Sequence, residues 1–269
     1  MRTFILLLLI MIWGTTWIAI KFSLMGIPPF LGAMLRFSVA VLLLFIFARL
    51  KKIPLIFPKN KFKYIFICAL FLYFFDYGFI YWGEQYLNAG VTAIFFSTFP
   101  IFTGLVSTFV FKSDPFRWNK FVGLLMGFTG ITTIFNEQLL MTDFEGMVIW
   151  ASLAVVFSAF SAAISLTMVK KYLTEVHTVP LTLYQMIVGV IILGVIALVR
   201  GEANQVSLTL PVIAAVIYLG GIGSALAFGL YYSLLKKMSP ISLSYIIYIT
   251  PLVAIFSGWL ILGETVTVN

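Results

Sequence analysis

Nine stretches of about twenty residues run almost free of charge, at 3–23, 29–48, 62–83, 89–111, 119–136, 146–169, 179–199, 209–235 and 242–262. About twenty apolar residues in helical form cross the roughly 30 Å hydrocarbon layer of a membrane. In lipid, each backbone N–H and C=O needs a partner within its own segment, so these runs must be helices. A barrel is excluded, because its strands would alternate polar and apolar residues, whereas these runs are apolar all round. The composition agrees: 62% of the 269 residues are hydrophobic and 10% charged, against about 45–50% and about 25% in soluble domains. The first run reaches Ile20, longer than the apolar part of a secretory signal, about 7–15 residues. With no small-x-small cleavage site behind it, it reads as the first span.

The net charge of +8 has a topological pattern rather than a nucleic-acid one. With the N-terminus inside and the spans alternating, Arg2, Arg49, Lys51, Lys52, Lys59, Lys61, Lys63, Lys112, Arg117, Lys120, Lys170, Lys171, Lys236 and Lys237 all fall on one side. Only Arg200 falls opposite. Basic residues mark the cytoplasmic side, so a cytoplasmic N-terminus is expected. No groove-reading motif accompanies the lysines, and no nucleic-acid partner is expected. One cysteine and one histidine (His177) leave little material for a zinc site or for Cys–His chemistry, so neither catalysis nor a cofactor is expected.

A shift of 151 residues superposes sequence punctuation: Pro29 on Pro180, Leu42 on Leu193, Arg49 on Arg200, Gly78 on Gly229, Tyr81 on Tyr232 and Pro100 on Pro251. One offset serving many spans argues for duplication of a five-span unit. Five is odd, so the second copy enters the membrane inverted. Inverted repeats are typical of secondary transporters with a site near the midplane. The expected halves are 1–137 and 138–269, together forming one membrane domain. The counterpart of the fifth span would begin at 270, so the second half is expected to lack its last helix in this chain.

The segments IWGTTWIAIK (12–21), PPFLGAMLRF (28–37), NAGVTAIFFSTFPIFTGL (88–105) and TPLVAIFSGWLILGETVT (250–267) resemble the EamA family of the drug/metabolite transporter superfamily. That resemblance implies an all-α fold of ten helices in a five-plus-five inverted arrangement. It also implies a central cavity lined by the first four helices of each repeat, and a role in exporting amino acids, other metabolites or drugs across a bacterial cytoplasmic membrane. One departure concerns the acidic pair after the proline helix. It is Gly263-Glu264 in the second copy but Lys112-Ser113-Asp114 in the first.

Several residues stand out within this frame. Asp76 lies mid-span, where a bare carboxylate costs about 2.5–3.5 kcal/mol. It reads as a contact for a substrate amine, as a proton-coupling carboxylate, or as the structural partner of Arg36. Arg36 suits a substrate carboxylate or Asp76 itself. Trp13, Trp17 and Lys21 recur every four residues and share a helical face, although Lys21 at the span end reads equally as a snorkelling cation. Ser242, Tyr245 and Tyr248 form one stripe whose hydroxyls require a cavity or another helix. Tyr81, Tyr232 and Gln185 add polarity at other spans. Pro100 and Pro251 sit inside spans, as hinges of alternating access or as static kinks. The expectation is a secondary transporter exporting small metabolites such as amino acids or drug-like compounds. Its partners would be a small-molecule substrate, membrane lipids and, through Asp76, protons. A membrane channel or a non-transporting scaffold is the alternative.

Overall fold

The computed structural model describes residues 2–115, 117–140 and 142–263, and all regular structure among them is helical. Among the described residues, eight helices are long and apolar enough to cross a membrane: α1 (Arg2–Leu24), α2 (Pro29–Leu50), α3 (Lys59–Gly83), α4 (Ala89–Val110), α6 (Met147–Tyr172), α7 (Thr178–Val199), α8 (Leu210–Leu235) and α9 (Pro240–Ile261). Between α4 and α6 lies α5 (Trp118–Ile134), of 17 residues. At 1.5 Å per residue it spans about 26 Å, near the lower limit for a crossing. Local chemistry sets the ends. Prolines occupy the first turns of α2 and α8, where no intrahelical donor is lost. Gly201 adopts φ +66° just after α7, the left-handed conformation that terminates a helix. The one histidine, His177, accepts from the Val179 amide at 3.3 Å and so caps α7.

The packing pattern carries the repeat. Helix α1 packs on α8 and α9, as its counterpart α6 packs on α3 and α4. Helix α2 packs on α8, as its counterpart α7 packs on α3. The pairs α2–α7 and α4–α9 join each helix to its own counterpart. Every such contact has a mate under exchange of the halves, which is the signature of an internal two-fold. Equivalent helices stand five places apart along the chain, an odd step, so that axis lies across them, giving the inverted repeat.

The helix ends gather as the loop charges require. Lys61, Lys170, Lys171 and Lys236 donate to the carbonyls of Tyr172, Leu235, Phe111 and Val176, at 2.6–3.0 Å. These groups bring the ends of α4, α6 and α8 together with the start of α3 on one lysine-rich face, and they satisfy terminal carbonyls that have no intrahelical donor. Asp114, the acid of the first copy, pairs with Lys120 at 2.9 Å. Its expected counterpart Glu264 lies outside the described residues.

Four helices are irregular near their middles. Helices α3 and α8 each contain a π-helical turn, at Leu70–Asp76 and Gly221–Leu226. The starting residues differ by 151, the repeat offset. Helices α4 and α9 are interrupted before Phe99 and Thr250. Pro100 and Pro251 each stand in the first turn of the segment that follows the break. The sequence suggested that each proline kinks a continuous helix by deleting a hydrogen bond. In the structure the α-helix is already broken, and each proline occupies a first-turn position that has no bond to lose. A further π turn, Val106–Val110, closes α4.

Candidate functional site

A cavity of about 80 Å³ lies between the two halves, lined from α1, α2, α3, α4, α6, α8 and α9. Its walls are largely aromatic. Trp13 packs 4.8 Å from Tyr231 and 5.8 Å from Phe228, Trp17 lies 5.5 Å from Phe96, and Phe96 stacks on Phe99 at 5.7 Å. Offset and edge-on rings of this kind make a stiff apolar wall.

Two charged side chains interrupt the wall. Arg36, 1% exposed, donates from Nε to Ser224 Oγ at 2.7 Å and from one terminal nitrogen to the Gly223 carbonyl at 3.2 Å. Its guanidinium carbon lies 4.6 Å from the centre of the Tyr77 ring, within cation–π range. The other terminal nitrogen, Nη1, is buried without a hydrogen-bond partner. Asp76, 2% exposed, ends the π turn of α3, with Ser158 of α6 beside its carboxylate. Its Oδ1 is also buried without a partner. Among the described residues no ion pair within 4.0 Å joins Arg36 to Asp76. The direct Arg36–Asp76 pair, one of the expectations from sequence, is therefore absent. The arginine takes its bonds from α8 instead. A buried polar group without a partner costs free energy, and in this cavity Arg36 Nη1 and Asp76 Oδ1 share that state with the indole nitrogens of Trp13 and Trp17 and the hydroxyl of Tyr231.

Of the other residues singled out by sequence, Trp13, Trp17 and Tyr232 line this cavity, and Tyr232 also donates to Gln185 Oε1 at 2.8 Å. Gln185 thus stands behind the wall. Tyr81, the repeat counterpart of Tyr232, packs against Gly32 of α2 instead of lining it. Lys21 lies one turn beyond Trp17 and donates to the Glu84 carbonyl at 2.6 Å, closing the end of α3. Gly14, next to Trp13, is where α1 meets Val253 of α9, too closely for any side chain.

The stripe on α9 turns away from the cavity. Tyr245 donates to the Lys120 carbonyl at 2.9 Å and Tyr248 to that of Leu124 at 2.6 Å, both on α5. Ser242 accepts from Ser239 at 3.0 Å at the helix start. A Cβ on Gly127 would meet the Tyr248 ring at 2.6 Å. Of the two partners the stripe allowed, a cavity or a helix, the structure supplies the helix. It is the opposite side of α9 that reaches the cavity, through Ile247 and Thr250.

Sequence reasoning passed over Thr16, Tyr77, Phe96, Phe99, Phe228 and Tyr231, which all line the cavity. Thr16 lies three residues after Trp13, and Tyr77 follows Asp76, so helical register around those two residues carried a usable signal. Nothing in the sequence marked Ser224.

A model of the EamA-like transporter family matches residues 2–136 and again 149–269. The uncharacterized transporter YoaV of Bacillus subtilis is 25% identical over 259 residues, covering 96% of this chain and 88% of that one. PagO of Salmonella typhimurium is 26% identical, covering 90% and 79%. An uncharacterized transporter of Buchnera aphidicola is 27% identical, covering 94% and 84%. A solved crystal structure superposes with a TM-score of 0.79 over 99% of this chain and 90% of that one, at 17% identity. At that identity the match speaks to the fold.

Proposed function

The chain belongs to the EamA-like transporter family and is a multi-pass membrane transporter; from that premise we propose that it exports small zwitterionic metabolites such as amino acids, or drug-like compounds of similar charge, by alternating access. The observation that supports this reading is that, among the unpartnered polar atoms of one aromatic cavity, two belong to side chains of opposite charge, Arg36 and Asp76. A carboxylate matches the guanidinium fork, an ammonium matches the carboxylate, and the aromatic wall takes an apolar side chain. Trp13, Trp17 and Tyr232 complete the proposed site.

The halves 1–137 and 138–269 are the rocking units. The breaks at Pro100 and Pro251 are the hinges, near the midplane where transporters of inverted repeats bind substrate. The N-terminus lies in the cytoplasm, as the fourteen-to-one charge bias supports, and the membrane is the bacterial inner membrane, as the resemblance to the family implies. Asp76, with Arg36, Tyr77 and Ser158 around it, exchanges a proton for the substrate amine and so couples transport to pH.

Counterflow of radiolabelled leucine in proteoliposomes tests this reading. Saturable, trans-stimulated uptake that loses its pH dependence in Asp76→Asn is the expected result. Linear, non-saturable flux would make the protein a channel. No flux of leucine or any other neutral amino acid would overturn the substrate class.

A further inference from the structure

The cavity's basic group is held from both halves of the molecule. Arg36 leaves α2, in the first repeat, beside Tyr77 and Tyr81 of α3, and donates two well-formed hydrogen bonds across to the π turn of α8, in the second. A π turn spaces its hydrogen bonds one residue wider than an α-helix, and such turns recur at functional sites. In this one the Gly223 carbonyl accepts from the arginine, and the neighbouring Ser224 turns its hydroxyl to Nε. The turn also needs its glycine. A Cβ on Gly223 would lie 2.8 Å from the Thr16 methyl and 3.5 Å from the Arg36 terminal nitrogen. Thr16 and Arg36 both line the cavity, so a side chain at 223 pushes the Thr16 methyl aside and comes into contact with the guanidinium.

Two of the guanidinium's three nitrogens are thereby fixed, and only Nη1 stays without a partner. The Tyr77 ring, 4.6 Å away, covers one face. On the other side of the two-fold, the equivalent π turn of α3 ends in Asp76, whose Oδ1 is likewise buried without a partner. One π turn carries the acidic pole and the other steers the basic pole. At the repeat-equivalent positions of Gly223 and Ser224 stand Leu72 and Tyr73, so the device exists in the second copy alone.

We propose that Ser224 and Gly223 are positioning residues for recognition of the substrate's acidic group: they lock the Arg36 guanidinium so that Nη1 alone is presented to it. The proposal rests on the reading of Arg36 as the contact for an anionic substrate group. It adds that the anion preference is set from the opposite half of the protein. Substrate binding then bridges the two repeats through a single side chain.

Three matched ligands test it in calorimetric titrations of the purified full chain: leucine, 4-methylpentanoate (leucine without its amine) and leucinamide (leucine without its carboxylate). Ser224→Ala is expected to weaken leucine and 4-methylpentanoate about tenfold, the effect of losing about 1.4 kcal/mol, and to leave leucinamide unchanged. Ser224→Thr, which keeps the hydroxyl, restores the wild-type ratio, and Gly223→Ala reproduces the loss. If Ser224→Ala does not fold, Ser224→Cys takes its place. Equal weakening of all three ligands, or weakening of none, overturns the proposal and reduces Ser224 to a packing residue. If 4-methylpentanoate binds and responds as expected while leucine shows no counterflow, the positioning role stands and the amino-acid reading falls. If leucine is carried but the carboxylate-to-carboxamide ratio ignores Ser224, the amino-acid reading stands and the positioning role falls. If neither leucine nor 4-methylpentanoate binds the wild type, the positioning role falls as well.

Discussion

Arg36 and Asp76 are the two charges that the cavity exposes to a ligand, and their mutual energetics can be measured without knowing the substrate. Consider the cycle of Arg36→Met, Asp76→Asn and the double variant. Breaking a buried ion pair by removing one partner costs about 3–5 kcal/mol, because the survivor is left charged and unpaired. The structure does not place the two in such a pair. Two of the arginine's three nitrogens donate to Ser224 and Gly223 and the Tyr77 ring lies against its plane, while Ser158 stands beside the aspartate. No contact within 4.0 Å joins them. Charges just beyond that distance couple by up to about 4 kcal/mol at an effective dielectric constant of about 20 and by about 1 kcal/mol in bulk water; a substrate cavity that admits water takes the lower value.

Asp76→Asn is therefore expected to cost no more than about 1 kcal/mol, since the amide keeps the shape of the carboxylate and strands no cation. Arg36→Met sets two large effects against each other. It removes two charge-assisted hydrogen bonds, worth roughly 1.5–3 kcal/mol each, and it also removes a buried charge whose desolvation is costly. The interaction energy of the cycle cancels these single-site effects. We expect it to fall below about 1 kcal/mol when unfolding in detergent is followed by tryptophan fluorescence. A coupling of about 3 kcal/mol or more would show that the two residues neutralise each other in the resting protein. The cavity would then offer a ligand neither charge.

Two other substitutions separate the scaffold from the site. Gly127→Val, whose Cβ would meet the Tyr248 ring at 2.6 Å, should lower stability by about 1–3 kcal/mol through overpacking without changing leucine affinity. An unaltered melting temperature would contradict the docking of α5 onto α9. Pro100→Ala and Pro251→Ala allow the broken helices to heal, and should slow counterflow several-fold while insertion stays normal. A double variant exchanging at the wild-type rate would make both breaks passive.

The sequence disclosed what lipid imposes. A membrane span must be long, apolar and internally bonded, so its existence and approximate limits follow from composition alone. The run written as 62–83 became Lys59–Gly83, and 179–199 became Thr178–Val199. The inverted repeat was legible for a related reason. Prolines and glycines that punctuate spans serve backbone geometry, and backbone geometry is what duplication preserves. Asp76 and Arg36 announced themselves because charge in a span is expensive enough to require an explanation.

What stayed hidden depends on the direction in which a side chain points, and an apolar helix gives few clues to that. With no polar face there is no stripe from which rotation about the helix axis can be read. Tyr245 and Tyr248 had the composition of a cavity wall, yet they donate to carbonyls of α5. A phenol in lipid needs any acceptor, and a neighbouring helix serves as well as a substrate. The decisive clue lay on the other helix, in glycines 123 and 127, which leave room for the two tyrosines. The π turns were hidden more deeply. LFLYFFD (70–76) and GIGSAL (221–226) share no residue pattern, and a one-residue widening of the helix leaves no mark on hydropathy. Yet this widening sets Asp76 at the end of one turn and offers Gly223 and Ser224 to Arg36 from the other. The chemistry of the cavity thus depends on backbone irregularity at two symmetric positions. Irregular backbone at membrane depth is tolerable only where protein groups or cavity water satisfy it, and Arg36, by donating to the Gly223 carbonyl, does so for one of the two turns.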